Sequence, residues 1–178
     1  MNTIKIAATI VLVALSIGTN YAFASFYNVK PMDLFTFVAG VLFGPLVGIS
    51  VGIMSWSVYG VLNPYGFVPQ IWIATMLSET LYGIIGGLLH RARFDFYKAS
   101  LARGLFMANL GFLLTVAYDL LTTVAYASVF GSDFLVAFIL GVPFTLVHEV
   151  SNAVLFGACG IPLVSAARMI LTSRRMES

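Results

Sequence analysis

The stretch PMDLFTFVAGVLFGPLVGISVGIMSWSVYGVLNPYGFVP, residues 31–69, decides the fold. From Leu34 to Thr75 the chain carries no charged residue, which is typical of membrane-embedded segments. Gly44-Pro45 interrupts this run. Proline cannot donate the helical hydrogen bond, and it biases the preceding residue away from helical geometry. The run is therefore either one kinked helix or two shorter helices joined by a tight turn.

The positions of lysine and arginine favour two helices. Basic residues cluster at Arg91–Arg103 and Arg168–Arg175, and the positive-inside rule places both clusters in the cytoplasm. The segment between them must then cross the membrane an even number of times. A reversal at Gly44-Pro45 gives six transmembrane helices with both termini inside. A kink gives five and moves Lys5 outside, so we favour six.

The two helices that meet at this reversal are short. Met32–Phe43 is 12 residues and 46–61 is 16 residues, or about 18 and 24 Å at 1.5 Å per residue. Both lengths fall below the roughly 30 Å of bilayer hydrocarbon. Short helices that start from an inner turn stop before the outer surface, so we expect a hollow on the outer side.

The composition indicates a multi-pass membrane protein of one domain, residues 1–178. The chain is 60% hydrophobic and 9% charged, whereas soluble domains are about 25% charged. The net charge of +2 follows from the inner loops and does not indicate a nucleic-acid partner. No phosphate-binding GxxxxGKS pattern occurs, so ATP-driven transport would need a separate ATPase. The single cysteine, Cys159, allows no disulfide within the chain.

Four further spans complete the predicted all-α membrane fold. A break at 141–143 is expected to separate an outer approach segment from the last span, and 63–66 reads as an outer turn. The first span also allows a cleaved signal peptide, since Ala22-Phe23-Ala24 resembles a cleavage site. The predicted spans are 6–26, 71–89, 104–130 and 143–168.

Polar and aromatic residues concentrate in the outer halves of the predicted spans. Polar side chains are expensive in lipid, so we expect them to face an inner pocket. His148 and Asn152 share one helix face, as do Asp119, Thr122 and Tyr126. Tryptophan and tyrosine could instead form an interfacial belt, Trp72 above all, and the carboxylates could be structural. The candidate substrate-binding residues are Trp56, Tyr59, Glu79, Asp119, Thr122, Tyr126, His148 and Asn152.

An intramembrane enzyme is the weaker interpretation of the sequence. His148-Glu149 begins a HExxN sequence, which lacks the second histidine of the HExxH zinc motif. The chain contains 2 histidines, too few for a histidine-rich metal site. We therefore predict no catalytic residue, no metal and no cofactor.

The stretch AGVLFGPLVGISVG, residues 39–52, resembles the second and third helices of the substrate-binding S components of energy-coupling factor (ECF) transporters. The later Asn-Pro turn with its glycine-rich fourth span and PFTLVHEVSNA, residues 143–153, share this likeness, which covers nearly the whole chain. The resemblance implies a plasma-membrane receptor that binds a vitamin-like molecule from outside. It also implies docking on a transmembrane coupling subunit that carries two ATPases.

Small residues on the first span match the docking position of that family. Members use an AxxxA pattern on this helix, and Ala14 and Gly18 have its spacing, with glycine at the second position. A small-residue face lets another helix approach closely, whether from a partner or from the same chain. Two functions of other classes stay open, an intramembrane enzyme or subunit acting on lipid or prenyl substrates and a scaffold subunit without a ligand.

Overall fold

A computed structural model describes residues 3–62, 66–96, 98 and 100–176, with side chains to 172. These residues form six α-helices and no strand, which confirms the predicted all-α fold. Residues 63–65 of the turn predicted at 63–66 lie outside the described residues. The helices are α1 (Thr3–Ala22), α2 (Met32–Phe43), α3 (Pro45–Leu62), α4 (Pro69–Arg91), α5 (Leu101–Phe130) and α6 (Phe134–Met176).

Five of these helices are long and apolar enough to cross a bilayer, so the chain is a multi-pass membrane protein. The exception is α2, whose 12 residues extend about 18 Å at 1.5 Å per residue. The predicted reversal between α2 and α3 is present. Gly44 has φ of 95°, a value that favours glycine, and its N–H donates to the Gly40 carbonyl at 2.8 Å. Pro45 then starts α3.

Glycines bring α2, α3 and α4 together backbone to backbone. A Cβ atom on Gly83 would lie 2.4 Å from the carbonyl carbon of Gly48, and one on Gly86 would lie 2.2 Å from the Phe37 carbonyl oxygen. A Cβ on Gly40 would meet Gly83 in the same way. Membrane helices associate largely by such close packing, because lipid offers little hydrophobic driving force. These three helices therefore form one tight block.

The centre of the bundle is aromatic and joins this block to α5 and α6. The ring of Phe156 lies 5.1 Å from that of Phe37 and 6.0 Å from that of Tyr82, and the Tyr82 ring is 6.1 Å from that of Tyr118. All four side chains are almost fully buried. Gly111 of α5 packs directly on Phe156 of α6. The two longest helices are thus held against the glycine-rich block through this aromatic core.

The final helix differs from the sequence prediction. We expected 141–143 to divide an outer segment from the last span, but α6 runs unbroken for 43 residues with Pro143 inside it. Membrane helices tolerate proline when nearby groups satisfy the freed backbone. The boundary prediction treated proline as a helix breaker, which is the rule for water-soluble helices.

Candidate functional site

A cavity of about 600 Å³ opens at one end of the bundle. Its walls come from the loop between α1 and α2, the first turns of α4 and α6, and the last turns of α5. The predicted topology places this end on the outer side of the membrane. The lining residues that bear most on chemistry are Lys30, Tyr118, Asp119, Thr122, Tyr126 and Phe144.

Three of the eight predicted binding residues line this cavity. They are Asp119, Thr122 and Tyr126, which follow one face of α5 as their spacing predicted. The Thr122 hydroxyl donates to the Tyr118 carbonyl at 3.1 Å, so its oxygen keeps a lone pair that can accept a hydrogen bond. Tyr126 is about half exposed, and its ring lies 4.6 Å from that of Phe130 at the cavity mouth.

His148 joins two carboxylates beneath the cavity. Its Nε2 lies 2.8 Å from Asp33 Oδ2, and its Nδ1 lies 3.0 Å from Asp119 Oδ1. These groups come from α2, α5 and α6, and all three side chains are buried. Buried charges are tolerated when they are paired and hydrogen-bonded. The contacts therefore fix the position of Asp119, the one member of the three on the cavity lining.

Asn152 extends this network one helical turn along α6. Its side-chain amide donates to Asp33 Oδ2 at 2.5 Å and to Thr115 Oγ1 at 2.8 Å. The Thr115 and Tyr82 hydroxyls are hydrogen-bonded at 2.9 Å. His148 and Asn152 share one helix face, as predicted, but both are hydrogen-bonded to Asp33 and neither lines the cavity. They support the floor of the site from below.

Glu79, Trp56 and Tyr59 form a separate buried group beside the cavity. The Trp56 indole N–H donates to Glu79 Oε2 at 3.2 Å, and the Tyr59 ring lies 5.6 Å from that of Trp56. None of the three is on the cavity lining. Trp72, considered for an interfacial belt, donates its indole N–H to the Trp56 carbonyl at 2.8 Å. These residues therefore pack behind the residues that line the cavity.

Sequence reasoning missed two buried charges next to the site, Lys30 and Asp33. Lys30 lines the cavity and is 7% exposed, while Asp33 is fully buried at the centre of the network. They flank Pro31, where they look like ordinary loop and helix-start residues. Ionisable groups inside membrane helices are functional by default, a rule that we applied to Glu79. The same rule applied to Asp33 would have identified that residue.

The predicted docking residues lie on the outside of the bundle. Ala14 and Gly18 are exposed on α1, and a Cβ on Gly18 would meet no atom within 4 Å. The opposite face of α1 carries Ser16 and Asn20, which are buried, and Asn20 Oδ1 accepts from the Met32 N–H at 3.1 Å. The small-residue face is therefore not used for packing against the described helices.

The contacts of His148 and the positions of the acidic side chains bear on the chemistry that the network could perform. Both ring nitrogens of His148 already face carboxylates, so neither is directed at the cavity. Within the described part of the chain no group of three or more histidine, cysteine, aspartate or glutamate side chains could hold a metal ion. The cavity lining presents charged groups, hydroxyl groups and aromatic rings.

Comparison with protein-family models, with curated proteins and with solved structures gives no significant match.

Proposed function

We propose that this protein is the substrate-binding membrane subunit of an importer of the ECF type. It takes a vitamin-like organic molecule from outside the plasma membrane into the cavity at the outer end of the bundle. The observation that carries the proposal is the cavity itself, which is about 600 Å³ in volume and has a polar floor held by a buried network. Pockets for small organic ligands measure roughly 300–1,000 Å³.

The lining supports recognition of an organic molecule. Small-molecule sites combine apolar and aromatic walls with a few placed polar groups. Here Phe144 and Tyr126 supply aromatic surface, and Thr122 and Asp119 supply polar atoms. Because Asp119 is held by His148, its carboxylate keeps one orientation before a ligand arrives, which lowers the ordering cost of binding.

Release of the ligand to the cytoplasm requires partners in this proposal. The sequence contains no nucleotide-binding pattern of the GxxxxGKS type, so the energy must come from other chains. The exposed face at Ala14 and Gly18 is the proposed contact with a transmembrane coupling subunit that carries two ATPases. Small residues there allow a partner helix to approach its backbone.

Mass spectrometry of the purified protein tests the binding role. The protein is purified in mild detergent from cells grown in rich medium and denatured, and the released small molecules are identified. We expect one compound in near-stoichiometric amount. Thr122→Trp, which fills the cavity, should abolish its recovery, and Thr172→Trp, at an exposed position of α6, should not.

The same experiment separates the other function classes. Recovery of the same compound from Thr122→Trp would move the binding site away from this cavity. The absence of any compound from all three proteins would favour a scaffold subunit. Conversion of an added lipid or prenyl substrate, lost in Asp119→Asn, would favour an enzyme.

A further inference from the structure

Lys30 places a buried positive charge on the cavity lining. It lies in the loop between α1 and α2 and is 7% exposed. Its ammonium nitrogen stands 5.3 Å from the ring centroid of Trp56, 5.6 Å from that of Tyr118 and 5.9 Å from that of Phe144. The faces of aromatic rings attract a cation, so these three rings hold the ammonium in place.

The rings do not satisfy the hydrogen-bonding capacity of this group. An ammonium has three donors. Across the described residues we find no hydrogen bond from the Lys30 ammonium and no carboxylate within 4.0 Å of it. The negative group on the cavity lining, Asp119, already accepts from His148. Asp33 and Glu79 attract the ammonium electrostatically from behind the cavity lining, but neither accepts a hydrogen bond from it. The donors of the ammonium therefore stay open to a ligand, and a buried polar group without a hydrogen bond is costly.

Tyr118 lies beside the ammonium but offers the ligand no donor. Its hydroxyl oxygen is buried and has no hydrogen-bond partner among the described residues. Of these two groups, the Lys30 ammonium is therefore the one that can donate to the oxygens of an anion. A cationic ligand would be repelled by Lys30. The three aromatic rings that could attract such a ligand already lie against the Lys30 ammonium.

We propose that the ligand of this cavity is an organic anion, whose carboxylate or phosphate group binds the Lys30 ammonium. This inference rests on the proposed receptor function and adds the charge class of the ligand. The aromatic residues Phe144 and Tyr126 contact the apolar part of the same molecule, so inorganic anions alone bind weakly.

The test uses a deproteinised yeast extract separated by ion exchange into anionic, cationic and neutral fractions. Each fraction is titrated into the full-length protein in lipid nanodiscs, and the thermal midpoint is recorded. We expect the anionic fraction to raise the midpoint and the other two to leave it unchanged. Treatment of the active fraction with phosphatase distinguishes a phosphate ligand, which loses its effect, from a carboxylate ligand, which keeps it.

Lys30 variants connect the effect to this residue. Lys30→Met retains the aliphatic stem and should require an about tenfold or greater concentration of the anionic fraction for the same shift. Lys30→Arg should remain close to the wild type. Lys98→Met removes the same charge from an exposed loop and should change nothing. If Lys30→Met does not fold, Lys30→Gln serves in its place.

Two outcomes overturn the inference. Stabilisation by the neutral or cationic fraction, unchanged in Lys30→Met, would retain a receptor but remove the anion from its ligand. Stabilisation by the anionic fraction that is equal in the wild type and Lys30→Met would place the anion elsewhere. Failure of all three fractions to shift the midpoint would count against the receptor function itself.

Discussion

The side-chain amide of Asn152 donates to the carboxylate of Asp33 across 119 residues of sequence. The contact joins α6 to α2, and both side chains are completely buried. His148 reaches the same carboxylate oxygen from one turn away, at 2.8 Å. Asp33 is therefore the residue on which the network beneath the cavity converges.

Removal of Asp33 should destabilise the protein strongly. Asp33→Ala leaves the His148 ring and the Asn152 amide buried without their shared acceptor. Breaking a buried pair in this way costs about 3–5 kcal/mol, which corresponds to a loss of roughly 10 °C in the thermal midpoint. The midpoint in detergent is measured by a fluorescence melt.

Asp95→Ala is the matched control. Asp95 lies in the loop before α5 and forms an ion pair with Arg103, and its carboxylate is 40% exposed. Exposed pairs contribute about 1 kcal/mol or less, so this variant should melt close to the wild type. Equal melting of both aspartate variants would show that the buried network does not stabilise the fold.

Gly83→Ala should separate α3 from α4. Its new methyl group would stand 2.4 Å from the backbone of Gly48, and backbone atoms cannot move aside as a flexible side chain can. Overpacking of this kind costs about 1–3 kcal/mol. Gly18→Ala, with no atom within 4 Å, is the control and should melt at or above the wild-type temperature. A Gly83→Ala protein as stable as Gly18→Ala would refute the close helix contact.

Cysteine labelling tests the predicted orientation of the chain. In a Cys159→Ser background, Ser25→Cys should react with a membrane-impermeant maleimide added to intact cells, because its loop borders the cavity end. Lys98→Cys, in the basic loop before α5, should react after the cells are opened and not before. Both positions are exposed, so reactivity reports the side of the membrane. The reverse labelling pattern would invert the topology and place the cavity on the cytoplasmic side.

Ala14→Leu and Gly18→Leu test the proposed docking face. Each adds bulk to an exposed face of α1, so stability and ligand recovery should stay at wild-type values. Co-purification of a coupling subunit and its ATPases from native membranes should fall at least fivefold, because the helix backbones can no longer approach. Val154→Leu, on an exposed part of α6, is the control. Undiminished recovery of the partners with both α1 variants would place the docking surface elsewhere.

The reversal at Gly44-Pro45 was predictable because one local signal determines it. Proline after glycine ends one helix and can start the next, and the distribution of charge selected a reversal over a kink. The continuity of α6 was not predictable from Pro143 alone. Whether a membrane helix continues through proline depends on how the surrounding structure satisfies the freed backbone groups, and these surroundings are not adjacent in the sequence.

The sequence predicted which residues of the candidate site share a helix face. It did not predict which of them line the cavity and which lie behind the lining. Periodicity placed Asp119, Thr122 and Tyr126 on one face, and that face lines the cavity. The same reasoning could not separate lining residues from those behind them, such as His148. The position of a polar residue along its helix predicts its depth in the membrane. It does not predict the hydrogen-bond partner, which can come from another helix, as Asp33 does for His148.

The length of α6 exceeds what the bilayer can enclose. Its 43 residues extend about 64 Å at 1.5 Å per residue, and even a 40° tilt leaves roughly 49 Å along the membrane normal, against about 30 Å of hydrocarbon. At least one end of α6 therefore stands in water. Since His148 and Asn152 belong to this same helix, α6 connects the residues beneath the cavity to the aqueous phase through one continuous helix.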